Sequence, residues 1–257
     1  GDIAAGGQGA PLVPAFHKLI ESSLPEQGQG VAIHNIGGIS NFTYLSNEDE
    51  MLAFDTGPGN AWIDAATQEV TRGKMPYDKG GALAAQGEVN VKALKQLMLH
   101  PYFKKSPPKS TGRDDFPYAF FKSKVKSKGP DRIATATALT VESIARAYER
   151  FVIKKKRPLH AIYVCGGGAK NKTLLRGLQN RMGSVKVVSL SSQGWKAQWI
   201  EPQAFAFFGF LSLVGRSYSG EWTGIRDELS VSRIPPGWIT PGANWRSVMG
   251  LLQGLLK

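Results

Sequence analysis

One cysteine, Cys165, is all the thiol chemistry that the 257 residues carry. A lone thiol makes no internal disulfide and no all-cysteine metal site. Carboxylates are also scarce, with 20 Asp and Glu against 32 Lys and Arg and a formal net charge of +12. Long apolar runs are missing. The best of them, 204–214, is too short and too polar at its edges to cross a bilayer. No secretory leader is visible, and the chain opens at Gly1-Asp2-Ile3-Ala4 without Met, in the manner of a segment from inside a domain. A cytoplasmic protein with no membrane contact is the expectation. What remains is ordinary globular composition, 42% hydrophobic, enough to bury a core in one large domain or two small ones.

The cationic excess is local: Lys104, Lys105 and Lys109, then Lys122, Lys124, Lys126 and Lys128, then Lys154, Lys155, Lys156 and Arg157. Such runs are most often solvated loops and helix ends. They lack the interleaved aromatics of a base-stacking surface, so nucleic acid is not the expected partner. Part of the charge suits an anionic ligand.

Along the chain, residues 1–16 read as a loop rich in Gly, Ala and Pro that leads into a helix carrying His17. Three short strands at 31–35, 41–45 and 51–54 make an antiparallel meander with tight turns. Helices follow at 61–72 and 89–99, with loop at 77–87 and irregular chain at 101–117. Apolar residues from Ile133 to Phe151 recur at helical spacing, and Asp131 stands where a cap would. A buried strand, 161–165, then ends in Gly166-Gly167-Gly168 before a helix over 171–182, a strand over 185–190 and a helix over 202–214. A last helix is read at 244–256. The order strand, glycine turn, helix, strand, helix predicts a layered α/β domain. Residues 1–232 are read as one lobe and 233–257 as a C-terminal segment ending in a helix.

Five short stretches carry chemistry. In Asn35-Ile36-Gly37-Gly38-Ile39-Ser40-Asn41, paired glycines between strands let backbone N–H groups approach a phosphate, or simply make a hairpin turn. In Cys165-Gly166-Gly167-Gly168-Ala169-Lys170-Asn171, a buried strand ends where a helix begins, the place at which open α/β sheets bind ligands. Three missing side chains leave room for a flat group, and no Gly-Lys-Ser/Thr follows, so this is not a Walker loop. In Phe54-Asp55-Thr56-Gly57-Pro58-Gly59-Asn60, a carboxylate at a strand end faces a stiff loop and can serve as a general base or as a turn cap. Asp64, on the next helix, reads as a solvated side chain or as a second site carboxylate. Lys109 and Arg113, within Pro107-Pro108-Lys109-Ser110-Thr111-Gly112-Arg113, can clamp phosphate or sugar oxygens or belong to a mobile basic loop. Glu201 opens the helix Ile200-Glu201-Pro202-Gln203 and can cap it or reach Mg²⁺ through water.

Taken in order, these stretches resemble the anhydro-N-acetylmuramic acid kinase family of the sugar kinase/Hsp70/actin superfamily. The resemblance rests on residues 2–16, 35–41, 54–60, Tyr77-Asp78-Lys79, 107–113, 165–171 and the Glu201 helix. The tail Pro241-Gly242-Ala243-Asn244-Trp245-Arg246 looks like fungal members, among them levoglucosan kinase. The resemblance implies an α/β lobe of the actin-like ATPase (ribonuclease H-like) fold, with a mixed sheet, flanking helices and most of the first lobe absent. It implies ATP and Mg²⁺ as cofactors and a 1,6-anhydro sugar as the small-molecule partner, with a homodimer a possible assembly. By that likeness Asp55 matches the catalytic base, and Asn35, Gly37, Gly38 and Asn41 the second phosphate loop. Gly166, Gly167, Gly168 and Asn171 match the nucleotide loop. Gly57, Asn60, Lys109 and Arg113 match substrate or phosphate contacts, and Glu201 the acidic residue near Mg²⁺.

Three departures stand out. No first phosphate loop of the Ser-Gly-Thr-Ser-x-Asp-Gly type is in the chain, Gly80 stands where the family usually has Asp, and Asp114 where it usually has Glu. The missing loop motivates a rival expectation, an inactive homologue that only binds ligands or partners.

Overall fold

The computed structural model describes residues 11–47, 51–196, 199–217, 222 and 241–255. The expected boundary at 232/233 and the first part of the 1–16 loop lie outside these residues. The chain divides into two compact units, His17–Ile200 and a second made of Gly1–Phe16 with Glu201–Lys257.

The larger unit holds a five-stranded sheet: β1 (Val31–Ile36), β2 (Ile39–Leu45), β3 (Leu52–Pro58), β4 (Ala161–Cys165) and β5 (Lys186–Ser189), in the order β3-β2-β1-β4-β5. The meander β1–β3 is antiparallel, and β4 and β5 run parallel to β1. This is the mixed sheet expected from sequence. A parallel step needs a crossover, and the segment between β3 and β4 supplies it with α2 (Ala61–Val70), α3 (Val91–Leu97), α4 (Tyr118–Lys124) and α5 (Gly129–Phe151). The connection from β4 to β5 runs through α6 (Lys172–Met182).

The core lies between α5 and one sheet face. Phe42, Phe54 and Tyr148 meet there with Phe151, with ring centroids 4.6–5.2 Å apart. Pro130 occupies the first turn of α5, where its missing N–H costs nothing. Asp131 does not cap this helix; its carboxylate accepts the Glu88 N–H at 2.8 Å and ties α5 to the preceding loop.

Two sequence expectations change. The strand read at 51–54 runs on to Pro58, so Asp55 lies inside β3, not at its end. Gly and Pro signalled a turn, but β3 is an edge strand, where proline costs no ladder bond, and Gly57 takes φ 121°, which only glycine accepts easily. The loop at 77–87 and the irregular stretch at 101–117 contain short 3₁₀ turns at Lys79–Gly81, Ala84–Gln86 and Pro101–Lys104. Helix α4 had no counterpart in the sequence reading.

The smaller unit contributes most of α7 (Ile200–Leu213), which leaves the larger unit at Glu201, and α8 (Trp245–Leu255). No helix among the described residues is long and apolar enough to cross a membrane.

Candidate active site

Strand register gathers three of the candidates. Asn41 pairs with Asn35 on one side and Asp55 on the other, and Asn35 pairs with Cys165. Phe42 and Phe54, one residue away from Asn41 and Asp55, point into the α5 core. Side chains alternate along strands, so Asn35, Asn41 and Asp55 share the opposite face as a cross-strand row.

A β-bulge aims this row. The register slips between Ser40 and Asn41, leaving Thr56 unpaired beside Asp55. Bulges bend a strand and redirect its side chains. Here the extra residue is pinned, because Thr56 Oγ1 donates to Ser40 Oγ at 2.8 Å. Ser40 Oγ meets His34 Nε2 at 2.7 Å, and His34 Nδ1 meets the Tyr148 hydroxyl at 2.8 Å. Burial pushes the His34 pKa down to about 3, so the ring is neutral and shares one proton between the two bonds. The network ties the bulge to α5. Nothing in the local pattern of Ile33-His34-Asn35 flagged this histidine, because its partners lie 6 and 114 residues away.

Asp55 is half-buried. Its Oδ2 accepts the Thr111 N–H at 2.8 Å, and its carbonyl accepts the Tyr102 hydroxyl at 2.6 Å. Burial raises its pKa to about 6; the Thr111 bond and the nearby Lys109 charge partly offset that. Among the described residues no cation stands within ion-pair distance of it. A carboxylate so held is ionised at neutral pH yet close to the pKa that suits a general base.

The two glycine bends and the Gly59-Asn60 loop pack as one body. The Gly59 N–H donates to Gly38 O at 2.9 Å, and the Asn60 N–H to Gly37 O at 2.7 Å. Asn60 Nδ2 donates to Ile36 O at 2.9 Å, and Thr140 Oγ1 on α5 donates to Gly59 O at 2.8 Å. Gly59 must be glycine for this contact, since a Cβ there would stand 2.4 Å from Gly37 O. Gly166, at φ 75°, lies against Asn35 and Ile36, and a Cβ on Gly168 would strike Ile36 at 2.4 Å. A Cβ on Gly167 would come 3.3 Å from Asn60 Nδ2. The triple glycine thus brings the end of β4 against the β1–β2 hairpin.

A cavity of about 280 Å³ opens beside these loops, lined among others by Asn60, Asp64, Tyr77, Gly167, Lys170 and Asn171. Asn171 caps α6, its Oδ1 accepting the Leu174 N–H at 3.0 Å. Of the two readings of Asp64, the solvated one fails: it is a half-buried member of the cavity wall. Burial raises its pKa to about 6, against the Arg113 charge and with the Asp78 charge. The legible signal was spacing, because Asn60 and Asp64 stand four apart and so share a helix face. Asp78 is itself buried and accepts the Leu83 and Ala84 N–H groups at 2.9 and 3.0 Å.

The two loop cations diverge. Arg113 reaches back to the hairpin, its guanidinium 2.8 Å from where a Gly38 Cβ would be. Lys109 turns to the other sheet face, with its ammonium 4.6 Å from the Tyr102 ring centroid and 5.1 Å from that of Phe54. The structure therefore brings Arg113 to the glycine bends and leaves Lys109 apart from them. Gly57 packs against the Phe103 ring. Glu201 stands exposed in the first turn of α7, in the smaller unit. Among the described residues no group of three or more His, Cys, Asp and Glu is placed to cage a metal.

The sequence model of the anhydro-N-acetylmuramic acid kinase family matches residues 1–234. A protein named anhydro-N-acetylmuramic acid kinase from Caldanaerobacter subterraneus subsp. tengcongensis is 38% identical over 223 residues, covering 83% of this chain and 55% of the relative. One of the same name from Shewanella sp. (strain ANA-3) is 42% identical over 219 residues, 83% of this chain and 57% of the relative. The chain spans about half the length of the curated relatives it matches. Among solved structures, an activator of 2-hydroxyisocaproyl-CoA dehydratase from Clostridium difficile aligns at TM-score 0.43 and 13% identity, covering 77% of this chain and 69% of that one. Xylulose kinase from Lactobacillus acidophilus aligns at TM-score 0.42 and 14% identity, covering 94% and 48%. The family model's match over most of the chain and the identity to these relatives show that the chain belongs to the anhydro-N-acetylmuramic acid kinase family.

Proposed function

We propose that the intact protein phosphorylates a 1,6-anhydro sugar with ATP while water opens the anhydro bridge. The observation that carries this reading is Asp55, a half-buried carboxylate without an ion-pair partner among the described residues, held beside packed glycine bends. Asp55 takes a proton from water, and the water oxygen bonds to the anomeric carbon. The bond from that carbon to O6 breaks, O6 attacks the γ-phosphorus, and ADP leaves. Little of this chemistry asks for covalent help from the protein, so positioning and charge carry most of it.

In this reading Gly37, Gly38, Asn35 and Asn41 approach phosphate oxygens with backbone and amide groups, and Arg113 adds a guanidinium. Gly166–Gly168, Asn60 and Asn171 face the nucleotide. Gly57 lies two residues beyond Asp55 in β3, where its missing side chain leaves room for the Phe103 ring. By the family likeness Glu201, exposed in the first turn of α7, would hold Mg²⁺ through water, since that ion suits few carboxylates and several waters. The ion would neutralise charge on the transferring phosphate.

The family name favours 1,6-anhydro-N-acetylmuramic acid as substrate; the likeness of residues 241–249 to fungal members favours levoglucosan. Incubating the intact protein with Mg-ATP and each sugar, with products read by mass spectrometry, separates them. The expected product is a sugar 6-phosphate that has gained one water oxygen. Consumption of neither sugar overturns the proposal, and a phosphorylated product that keeps its anhydro bridge overturns the hydrolytic step.

A further inference from the structure

A second cavity, of about 430 Å³, lies on the α5 side of the sheet and shares no lining residue with the first. Its charged lining is one-sided: Lys104, Lys109, Arg146, Arg150 and Lys154 against Glu149. That carboxylate is already engaged, bonding Arg181 at 2.9 Å. Of the five cations only Arg146 has an ion pair among the described residues, with Glu142 at 2.7 Å. Gathering like charges round a concave surface is unfavourable without a counter-charge, and it focuses a positive potential into the hollow.

The cations are also held in place. Arg150 donates through one nitrogen to the carbonyls of Lys104 at 3.0 Å and Phe103 at 3.4 Å, and its guanidinium lies 4.7 Å from the Phe151 ring centroid. Its remaining N–H groups stay available for a planar anion. Lys109 is buried with its ammonium over three aromatic rings, which stabilise a cation without neutralising it. Burial, then the Arg150 charge, pull its pKa down to about 8 against the Asp55 charge, and its ammonium donates to the Tyr102 carbonyl at 3.5 Å. Met98, Leu99 and Phe103 add an apolar wall to the lining.

We infer that this cavity is a binding site for a sugar-sized phosphomonoester, its phosphate on Lys109, Arg150 and the rim lysines and its body against the apolar wall. The volume lies in the range of small-molecule sites and far exceeds that of a bare phosphate. The inference does not rest on the proposed reaction. It does place a ligand on the segment that holds Asp55, because the Lys109 carbonyl accepts the Asp55 N–H at 3.4 Å.

Calorimetry on the intact protein at low salt tests the site, with glucose 6-phosphate, inorganic phosphate and glucose as probes. Lys104 and Lys154 are exposed, so the double variant Lys104→Glu/Lys154→Glu should fold, and Lys104→Gln/Lys154→Gln is the milder control. The expected result is binding of glucose 6-phosphate that is tighter than that of phosphate and absent for glucose. The charge reversal should weaken it by at least about tenfold, since each lost charge-assisted contact is a large share of such an affinity. Arg113→Ala should leave that binding unchanged. No binding, equal affinity for glucose, equal affinity for inorganic phosphate, or a loss seen only with Arg113→Ala would overturn the inference.

Discussion

The Thr111 N–H donates to Asp55 Oδ2 at 2.8 Å, and the Asp55 N–H points back to the Lys109 carbonyl at 3.4 Å. Asp55 is thus gripped at main chain and side chain by one three-residue segment. The grip survives replacement by Asn, whose Oδ1 still accepts.

Asp55→Asn should lower phosphorylation by on the order of 10²–10⁴ while leaving the circular dichroism spectrum unchanged. It should also raise the melting temperature above pH 6. The folded pKa of about 6 exceeds the unfolded value of 3.8, so the wild type binds more protons folded than unfolded between these values. That stabilisation is present at low pH and is lost as pH rises through 6. Removing the charge should return on the order of 1–2 kcal/mol at pH 8, a few degrees in a melt. An unchanged rate, or a lower melting temperature at pH 8, contradicts this.

The buried His34 carries the opposite sign. Its folded pKa of about 3 lies below the ordinary 6.5, so its contribution is fully present above pH 6.5 and drains away as pH falls toward 3. His34→Phe leaves the Tyr148 and Ser40 hydroxyls without their shared partner and should cost about 2–4 kcal/mol at pH 7. In urea titrations between pH 7 and 4 the variant should lose less stability than wild type. Parallel curves would show that His34 is not buried neutral.

Gly59→Ala puts a methyl 2.4 Å from Gly37 O, a main-chain atom that cannot step aside. The expected cost is about 1–3 kcal/mol in chemical denaturation. Gly112→Ala meets nothing within 4 Å and should stay within about 0.5 kcal/mol of wild type. Equal effects from the two would deny the packed contact between the loops.

Asn171 serves both α6 and the cavity. Asn171→Ala should cost about 1 kcal/mol as a lost cap. Asn171→Asp keeps the cap, so its melting temperature without ligand should match wild type. If the cavity takes nucleotide, the added negative charge should shrink the thermal shift given by Mg-ATP. Full protection by Mg-ATP in Asn171→Asp would remove this residue from the nucleotide site.

Periodicity and punctuation made the sheet and the long helix legible. Strand 161–165, its glycine stop and the helix after it stand where the pattern put them. The fold was less legible where local signals compete with long-range pairing. Gly57 and Pro58 spell a turn, but an edge strand tolerates both. At the candidate site, motif order singles out Asp55 and the glycine bends, whereas Thr111, His34 and Tyr148 bond through backbone or to distant partners that no local pattern reveals. Lys109 and Arg113 look equivalent four residues apart, and only the tertiary structure sends them to opposite faces of the sheet.

Strand β3 is one of the two edges of the sheet, and the Lys109–Thr111 stretch lies along its open side. A bare strand margin is a template on which further chains can add. The residues that hold the carboxylate therefore also cover part of that margin. Variants that pull this stretch away should precipitate on warming as well as fall silent, and a screen for soluble expression would collect defects at Lys109–Thr111 without assaying chemistry.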